Sequence, residues 1–236
     1  MKQHFSSVWT RESRPAKSTT LSRDQIVRAA MELLDAEGMD ALSMRRLGAR
    51  LGSGATSIYW HVANKDELLE LVMDEVLGTV ALPAPDVTGW RDAASVFAYG
   101  LRAALFEHPW SVELVGTRPS LGPNAMELSA RLLRTFSLAG FEGMALDYAS
   151  STLMAYVLGA TTPEIAWRAA MAGAELSDEG LMAGVKSAVD RAAADYPELA
   201  ERYTEYDGMD PDVARGLNFD FGLTCILDGL EARLGR

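Results

Sequence analysis

The sequence predicts an all-α protein with a small N-terminal helix-turn-helix domain followed by a larger helical domain. Apolar residues recur at helical spacing between Gly and Pro stops, and no segment shows the strict alternation of a half-buried strand. The segment LSMRRLGARLGSGATSIYW at 42–60 combines a Ser cap, a Leu face and a glycine turn, which is the layout of a helix-turn-helix. Because 48% of the 236 residues are hydrophobic, the chain can bury a substantial core.

Residues 1–20 are predicted to form a flexible basic arm. They have little apolar periodicity and carry Arg11, Arg14 and Lys17 among Ser and Thr residues. Two interpretations remain open, since such an arm either enters a DNA minor groove or has no specific role.

The helix-turn-helix domain is predicted to span residues 21–82. Its first helix is expected from about Ser22, because Ser22 and Gln25 have the spacing of a capping box. A helical apolar stripe follows, and Gly38 is expected to end the helix.

The second half of this domain contains the two helices of the motif and one further helix. Ser43 is expected to cap the support helix, and the recognition helix is predicted over Ala55 to Val62. Asn64 and Glu67 have capping-box spacing for a further helix, which Pro83 breaks.

Residues 83–236 are predicted to form the larger, regulatory domain. Asn124 and Glu127 again have capping-box spacing, and the acid-rich segment 195–212 is expected to be a solvated loop. Helices are predicted near 90–107, 124–139, 143–171, 178–194 and 212–234.

The charge distribution favours contact with a polyanion at one end of the chain only. The net charge is −11, but residues 1–65 hold ten Lys and Arg against six Asp and Glu, a net +4. The remaining residues carry a net −15. A basic end on an acidic body is typical of a protein that touches DNA through that end.

Other compositional features exclude several classes of site. The single cysteine, Cys225, excludes an intramolecular disulfide and a multi-cysteine zinc site. No signal-peptide pattern is present, so a cytoplasmic location is expected, and the charge-free run Tyr148–Pro163 is too short for a membrane span. No motif predicts a catalytic site, a metal site or a cofactor. The only acid–base groups worth considering for an enzyme are His61, His108, Glu113 and Asp147.

The runs IVRAAMELLDAEGMDALSMRRLGARLG and SIYWHVANKDELL resemble the DNA-binding head of the tetracycline-repressor (TetR) family of bacterial transcriptional regulators. The run GTRPS at 116–120 resembles the regulatory domain of the tetracycline repressor subgroup. The resemblance implies a homodimer that binds a palindromic DNA operator, represses transcription and is released by a small molecule. Three alternatives stay open: an activator, a regulator that answers a protein partner, and a helical binding protein or enzyme that has lost DNA binding.

The candidate DNA contacts lie in the helix-turn-helix and at the start of the next helix. Arg45 points away from the Leu face of its helix and is the first candidate for a base or backbone contact, with Arg46 next. The resemblance assigns phosphate contacts to Tyr59, His61 and Lys65. Packing is the alternative for Tyr59 and Trp60, and helix capping for His61. The full set is Ser43, Arg45, Arg46, Gly54, Ala55, Thr56, Ser57, Tyr59, Trp60, His61 and Lys65.

A regulatory domain needs a cavity, and its candidate lining is apolar and aromatic, which predicts an apolar or aromatic effector. Plain core packing is the alternative for each of these residues. The family's metal–tetracycline site uses histidines in this domain, whereas Leu114 stands at the corresponding position, so neither the metal nor tetracycline is expected. The resemblance makes Thr117 and Arg118 a pocket edge or hinge. The candidates are Tyr99, Phe106, Trp110, Leu114, Thr117, Arg118, Met126, Leu133, Met154 and Trp167.

Two helices are predicted to form a four-helix dimer interface, which a palindromic site requires. The last helix has a broad apolar stripe, and the segment around Ala155 is rich in small residues. Burial within a single chain is the alternative. The predicted interface residues are Tyr148, Thr152, Ala155, Phe219, Leu223, Ile226, Leu227 and Leu230.

Overall fold

The computed structural model describes residues 7–10, 21–117, 120–173, 178–193, 196 and 209–234. These residues form α-helices, turns and two 3₁₀ segments, Met39–Ala41 and Pro109–Glu113, which confirms the all-α prediction. Within them, no helix combines the length and apolar character needed to cross a membrane. The helices are α1 (Arg23–Glu37), α2 (Met44–Arg50), α3 (Ala55–Tyr59), α4 (Lys65–Gly78), α5 (Pro85–Thr88), α6 (Trp90–Glu107), α7 (Pro123–Ala139), α8 (Met144–Gly173), α9 (Asp178–Ala193) and α10 (Pro211–Leu234).

The first helix begins and ends as its local sequence predicts. The Ser22 hydroxyl accepts a hydrogen bond from the Gln25 amide at 3.1 Å, and the Gln25 side chain accepts from the Ser22 amide at 2.8 Å. Gly38 ends α1 with φ of 75°, a conformation that favours glycine. The stripe of Ile26 and Leu34 is buried, so α1 supplies a core face to the N-terminal helices.

The recognition helix α3 is shorter than predicted and ends at Tyr59 rather than Val62. The amides of His61 and Val62 both donate to the Ile58 carbonyl, at 2.9 Å each, so the last turn closes on one acceptor. Val62 is thereby turned into the core, where it is fully buried.

The cap predicted for α7 is wrong. The helix begins at Pro123, and the carboxylate of Asp74 on α4 accepts hydrogen bonds from the amides of Asn124 at 3.2 Å and Ala125 at 2.9 Å. Asn124 therefore lies inside the first turn, and Glu127 pairs with Arg131 at 2.6 Å instead. A carboxylate from another helix has replaced the local cap, because it reaches two orphan N–H groups at once.

The described structure divides into two compact units, residues 1–151 and 152–236. In the first unit, α4 packs against α1, α6 and α7, so the helix that follows the helix-turn-helix belongs to the same core as the start of the regulatory domain. In the second unit, the Tyr156 hydroxyl on α8 donates to the Phe219 carbonyl on α10 at 2.7 Å. A β-carbon on Gly222 would overlap the Tyr156 ring, so glycine permits this close approach.

Ser7–Thr10 differ from the prediction of a flexible arm. Val8 and Ser7 are buried, and Glu70 of α4 accepts hydrogen bonds from the Ser7 hydroxyl at 2.5 Å and the Val8 amide at 3.2 Å. The basic residues Arg11, Arg14 and Lys17 lie outside the described residues, as does most of the predicted acidic loop 195–212.

Candidate nucleic-acid interface

The turn between α2 and α3 holds the two helices of the candidate interface in close contact. A β-carbon on Gly48 would lie 2.9 Å from the carbonyl oxygen of Ser53 and 3.0 Å from the amide nitrogen of Ala55. Glycine is therefore required for α2 to approach the start of α3 this closely. Gly52 has φ of 61°, which lets the chain reverse between the helices. The recognition helix is thus fixed against its support.

The three arginines of α2 have different surroundings. Arg46 pairs with Glu37 of α1 at 2.5 Å, and Arg50 pairs with Glu32 of α1 at 2.9 Å. Arg45 is exposed and pairs with no carboxylate among the described residues. Of these three side chains, Arg45 is the one whose charge the fold leaves available to a ligand.

The starts of α2 and α3 both present polar groups whose chemistry suits an anionic partner. The Ser43 hydroxyl accepts from the Arg46 amide at 3.2 Å, which leaves its own O–H available as a donor. Gly54 precedes α3 without a side-chain cap, Thr56 is exposed, and Ala55 and Ser57 are half-buried. Backbone N–H groups at a helix start together with hydroxyl donors are suited to phosphate or base contacts.

Tyr59 and Trp60 at the end of α3 are exposed by 47% and 54%, whereas the neighbouring Ile58 is fully buried. The structure therefore gives the packing role to Ile58 and not to either aromatic residue. Two exposed aromatic residues of this kind can contact a nucleic-acid backbone through hydroxyl and indole N–H donors.

The start of α4 is tied to the helix-turn-helix. Asn64 caps α4 by accepting from the Glu67 amide at 2.8 Å, and the Glu67 carboxylate accepts at 2.8 Å from the amide of Ala63, one residue before the cap. The Lys65 ammonium donates to the Met39 carbonyl at 3.3 Å, and so in this state it links α4 to the turn before α2. His61, four residues before the start of α4, is half-buried.

Sequence reasoning named Glu67 as a capping residue but missed that it shares a buried face of α4 with two further carboxylates, those of Glu70 and Asp74. The signal was present, because acids at positions i, i+3 and i+7 share one helix face and a buried acid needs a partner. Each accepts a hydrogen bond from the backbone of a different segment. The donors are the amides of Ala63, Val8 and Ala125, respectively.

The predicted effector-contacting residues of the first unit fall into two groups. Trp110 and Leu114 are buried and Phe106 is half-buried, with the Arg102 guanidinium 4.8 Å from the centre of its ring. Thr117 is exposed, and its hydroxyl donates to the Leu114 carbonyl at 2.8 Å. The other exposed residues of the predicted effector-contacting set are Tyr99, Met126 and Leu133.

The other predicted effector-contacting residues lie outside the first unit or outside the described residues. Met154 and Trp167 lie on α8 in the second unit, and Arg118 lies outside the described residues. His108, considered above as an acid–base group, is buried and its Nδ1 lies 2.8 Å from an Asp35 carboxylate oxygen. The hydroxyl of Ser111 is buried and makes no hydrogen bond within the described residues, so Ser111 is not paired with this histidine.

The predicted dimer residues differ in exposure between the two helices. Tyr148, Thr152 and Ala155 lie on an exposed face of α8. On α10, the predicted stripe is buried within the single chain, and the opposite face exposes Leu217 and Phe221, the latter by 72%. The buried members are Phe219, Leu223, Leu227 and Leu230, and Ile226 is half-buried.

Comparison with known proteins gives two family matches that cover most of the chain. Residues 26–72 match the family described as bacterial regulatory proteins, tetR family. Residues 82–234 match the tetracyclin repressor-like C-terminal domain.

Curated relatives match over nearly the whole chain. An HTH-type transcriptional regulator of Saccharopolyspora erythraea is 36% identical over 230 residues, covering 97% of this chain and 93% of that protein. The HTH-type transcriptional repressor DrrR1 of Streptomyces coeruleorubidus is 34% identical, covering 95% and 83%. The class A tetracycline repressor protein of Escherichia coli is 32% identical, covering 91% and 93%.

Solved structures of proteins from this family superimpose on the chain over nearly its whole length. Apo ActR from Streptomyces coelicolor superimposes with a TM-score of 0.76 at 29% identity, covering 93% of this chain and 99% of that one. ActR in complex with actinorhodin gives a TM-score of 0.75 at 30% identity, covering 92% and 100%. With the glycine-fixed α2–α3 corner and both domain matches, the chain belongs to the tetR family of bacterial regulatory proteins and is a DNA-binding transcriptional regulator.

Proposed function

We propose that this regulator is a cytoplasmic homodimeric repressor, without enzymatic activity, which a small apolar or aromatic molecule releases from a palindromic operator. The observation that carries the proposal is the surface formed by Arg45, Thr56, Tyr59 and Trp60. These residues are exposed along a corner of two helices that Gly48 locks together. Residues that carry charge or aromatic surface and stay exposed on a rigid scaffold are suited to binding a partner.

In this proposal the head contacts DNA with different residues for sequence and for backbone. Thr56 near the start of α3 offers a methyl group and a hydroxyl to base edges in the major groove. Arg45 approaches the same groove from α2, and Tyr59 donates to a phosphate. Lys65 exchanges its hydrogen bond with the Met39 carbonyl for a phosphate contact, since an ammonium gains more from an anion than from a neutral carbonyl.

The dimer is proposed to form through the exposed faces of α8 and α10. On α8 these are the faces of Thr152 and Ala155, with Tyr148 one turn earlier on the same helix. On α10 the contact is assigned to Leu217 and Phe221, because the stripe predicted from the sequence already packs inside the chain. Two heads related by a two-fold axis then meet half-sites about 34–36 Å apart in successive major grooves.

The effector class follows from the character of the side chains and from the relatives. ActR, which is 30% identical, was crystallised with actinorhodin, and DrrR1 is named as a repressor. Leu114 is buried and offers carbon atoms where the tetracycline repressors place a metal-binding histidine. An effector that binds without a metal ion, through apolar and aromatic contacts, is therefore favoured.

A matched pair of substitutions on α2 tests DNA binding. Arg45→Ala removes an exposed guanidinium, whereas Arg50→Ala removes one that already pairs with Glu32. Fluorescence anisotropy with the promoter fragment upstream of the protein's own gene measures both affinities at several salt concentrations. Arg45→Ala is expected to weaken binding by about 10–100-fold, a loss of about 1–3 kcal/mol, and Arg50→Ala by less than about threefold.

The salt dependence identifies the kind of contact. If Arg45 binds a phosphate, the slope of log affinity against log salt falls by about one unit in Arg45→Ala, and if it binds a base the slope stays the same. Wild-type protein that binds neither its own promoter nor any other duplex at low salt would contradict the proposed function.

A further inference from the structure

The carboxylate of Asp35 joins the head to the segment that follows α6. Asp35 lies near the C-terminal end of α1, and one of its oxygens, Oδ1, lies 2.8 Å from His108 Nδ1 and 2.7 Å from Trp110 Nε1. A carboxylate only accepts hydrogen bonds, so His108 carries its proton on Nδ1 and donates it. The indole N–H can only donate. Both donors therefore converge on one acceptor atom.

Packing fixes the two donors independently of the carboxylate. Trp110 and His108, the neighbours of Pro109 in the sequence, are both buried. The centroids of their rings lie 5.7 Å apart, and the ring planes are tilted to each other. Asp35 itself is exposed, so the two donors hold the carboxylate and not the reverse, and replacing it with a neutral group removes a charge from the acceptor that both buried donors share. Hydrogen bonds to an ionised acceptor are also the stronger kind. The contact is therefore directional as well as favourable.

The position of this contact along the chain gives it a function. Asp35 belongs to the helix whose buried stripe supports the helix-turn-helix, whereas His108 and Trp110 flank the start of Pro109–Glu113. That 3₁₀ segment leads directly to Leu114 and Thr117, which are among the predicted effector-contacting residues. It also packs against α1, so the Asp35 carboxylate adds two directional hydrogen bonds to a packed contact between the segment and the head.

We propose that Asp35 is a positioning residue for operator binding, which fixes the orientation of the head through its hydrogen bonds from His108 and Trp110. This inference rests on the proposed function, because it concerns the spacing of two heads on a palindrome. A two-fold operator accepts only one separation of the recognition helices. A head held in a single orientation binds that spacing strongly and rejects others, whereas a head that rotates loses affinity for it and tolerates neighbouring spacings.

Operator spacing therefore gives the test. The operator is first located by footprinting with wild-type protein on its own promoter, and duplexes with one base pair added or removed at the centre are then prepared. Asp35→Asn keeps the shape of the side chain but loses its charge, and Trp110→Phe removes the indole N–H. Asp40→Asn, an exposed acid in the turn after α1, is the control for the change of charge.

The expected result is a selective loss. Asp35→Asn should weaken binding to the natural spacing by about tenfold, equivalent to about 1.4 kcal/mol. Its ratio of affinities for natural over altered spacing should fall by a similar factor. Trp110→Phe should change the ratio in the same direction by less, and its effect should be smaller in the Asp35→Asn background than in the wild type, because the neutral amide oxygen accepts the indole N–H more weakly. Asp40→Asn should keep the wild-type ratio.

Two results separate this inference from the proposed function. Variants that bind all duplexes equally less well than wild type, with an unchanged ratio, overturn the positioning role and leave DNA binding intact. A wild type that binds no duplex overturns both. Circular dichroism checks that each variant is folded, and if Asp35→Asn does not fold, the ratio measured for Trp110→Phe decides the question.

Discussion

The carboxylate of Asp74 occupies the space that a β-carbon on residue 122 would need, so Gly122 leaves room for the carboxylate that caps α7. Gly122→Ala is expected to lower the free energy of unfolding by about 1–3 kcal/mol, because the added methyl group displaces this carboxylate from the two amides that it caps. Urea denaturation followed by circular dichroism measures this loss.

The control for that substitution is Gly184→Ala in α9. Among the atoms that the structure describes, none lies within 4 Å of a β-carbon built at this position, and the residue is exposed. Alanine is favoured over glycine in a helix, so this variant should be unchanged or up to about 1 kcal/mol more stable. Equal losses in Gly122→Ala and Gly184→Ala would contradict the assigned overlap.

The same contact predicts a specific coupling between two substitutions. Asp74→Ala removes the acceptor of two amides at the start of α7 and should cost about 1–3 kcal/mol. It also removes the atoms that Gly122→Ala would meet. In a double-mutant cycle, the cost of Gly122→Ala should therefore fall by about 1–2 kcal/mol when Asp74 is already alanine. Simple addition of the two costs would show that they act at separate places.

The docking of Ser7–Thr10 on α4 predicts that the N-terminal segment contributes to stability. Val8 is 5% exposed, whereas Val87 on α5 is 81% exposed. Val8→Asp buries a charge or expels the segment and should lower the free energy of unfolding by about 2–3 kcal/mol. Val87→Asp should change it by less than about 0.5 kcal/mol. If both variants unfold at the same urea concentration as wild type, the segment does not pack on α4 in solution.

The pKa of Asp212 predicts a weak dependence of stability on pH in acid. A hydrogen bond from Arg215 is the main cause that lowers the pKa of Asp212 from its ordinary value of 3.8; desolvation opposes it, and the charges of Arg168 and Arg215 lower the pKa further. A lowered pKa in the folded state means that the stabilisation is present above about pH 3.8. It is lost as the pH falls through the folded value.

Carboxyl NMR titration measures this shift directly. The Asp212 midpoint should lie below 3.8 in the wild type and move towards that value in Arg215→Ala. Because the carboxylate is exposed, Asp212→Asn should flatten the acid limb of the melting temperature only slightly. An Asp212 midpoint at or above 3.8 in the wild type would contradict the assigned pairing.

Features determined by neighbours in sequence were predictable, whereas those determined by distant contacts were not. The Ser22–Gln25 box formed as predicted because every atom involved lies within three residues. The similar spacing of Asn124 and Glu127 failed because Asp74, fifty residues earlier, reaches the same amides. Local pattern does not reveal which carboxylate a distant helix brings to a helix terminus.

The same limit applies to the candidate site. Three arginines on α2 look alike in sequence, and only the fold shows that Glu37 and Glu32 engage two of them. The apolar stripe of α10 was also visible, but periodicity does not tell whether a helix of the same chain or a second copy covers it.

The burial of that stripe leads to the prediction for assembly. Phe221 lies on the face of α10 opposite the buried Phe219 and Leu223, and its side chain is 72% exposed. If this face meets a second copy, Phe221→Glu places a charge in an apolar interface and should convert the dimer to a monomer.

The control is Leu138→Glu on α7, where the leucine is 60% exposed, and this variant should remain a dimer. Analytical ultracentrifugation over a wide concentration range measures both, and a Phe221→Glu variant that sediments as a wild-type dimer would place the interface elsewhere. A monomeric but folded Phe221→Glu should also bind the operator more weakly, since each head then binds its half-site alone.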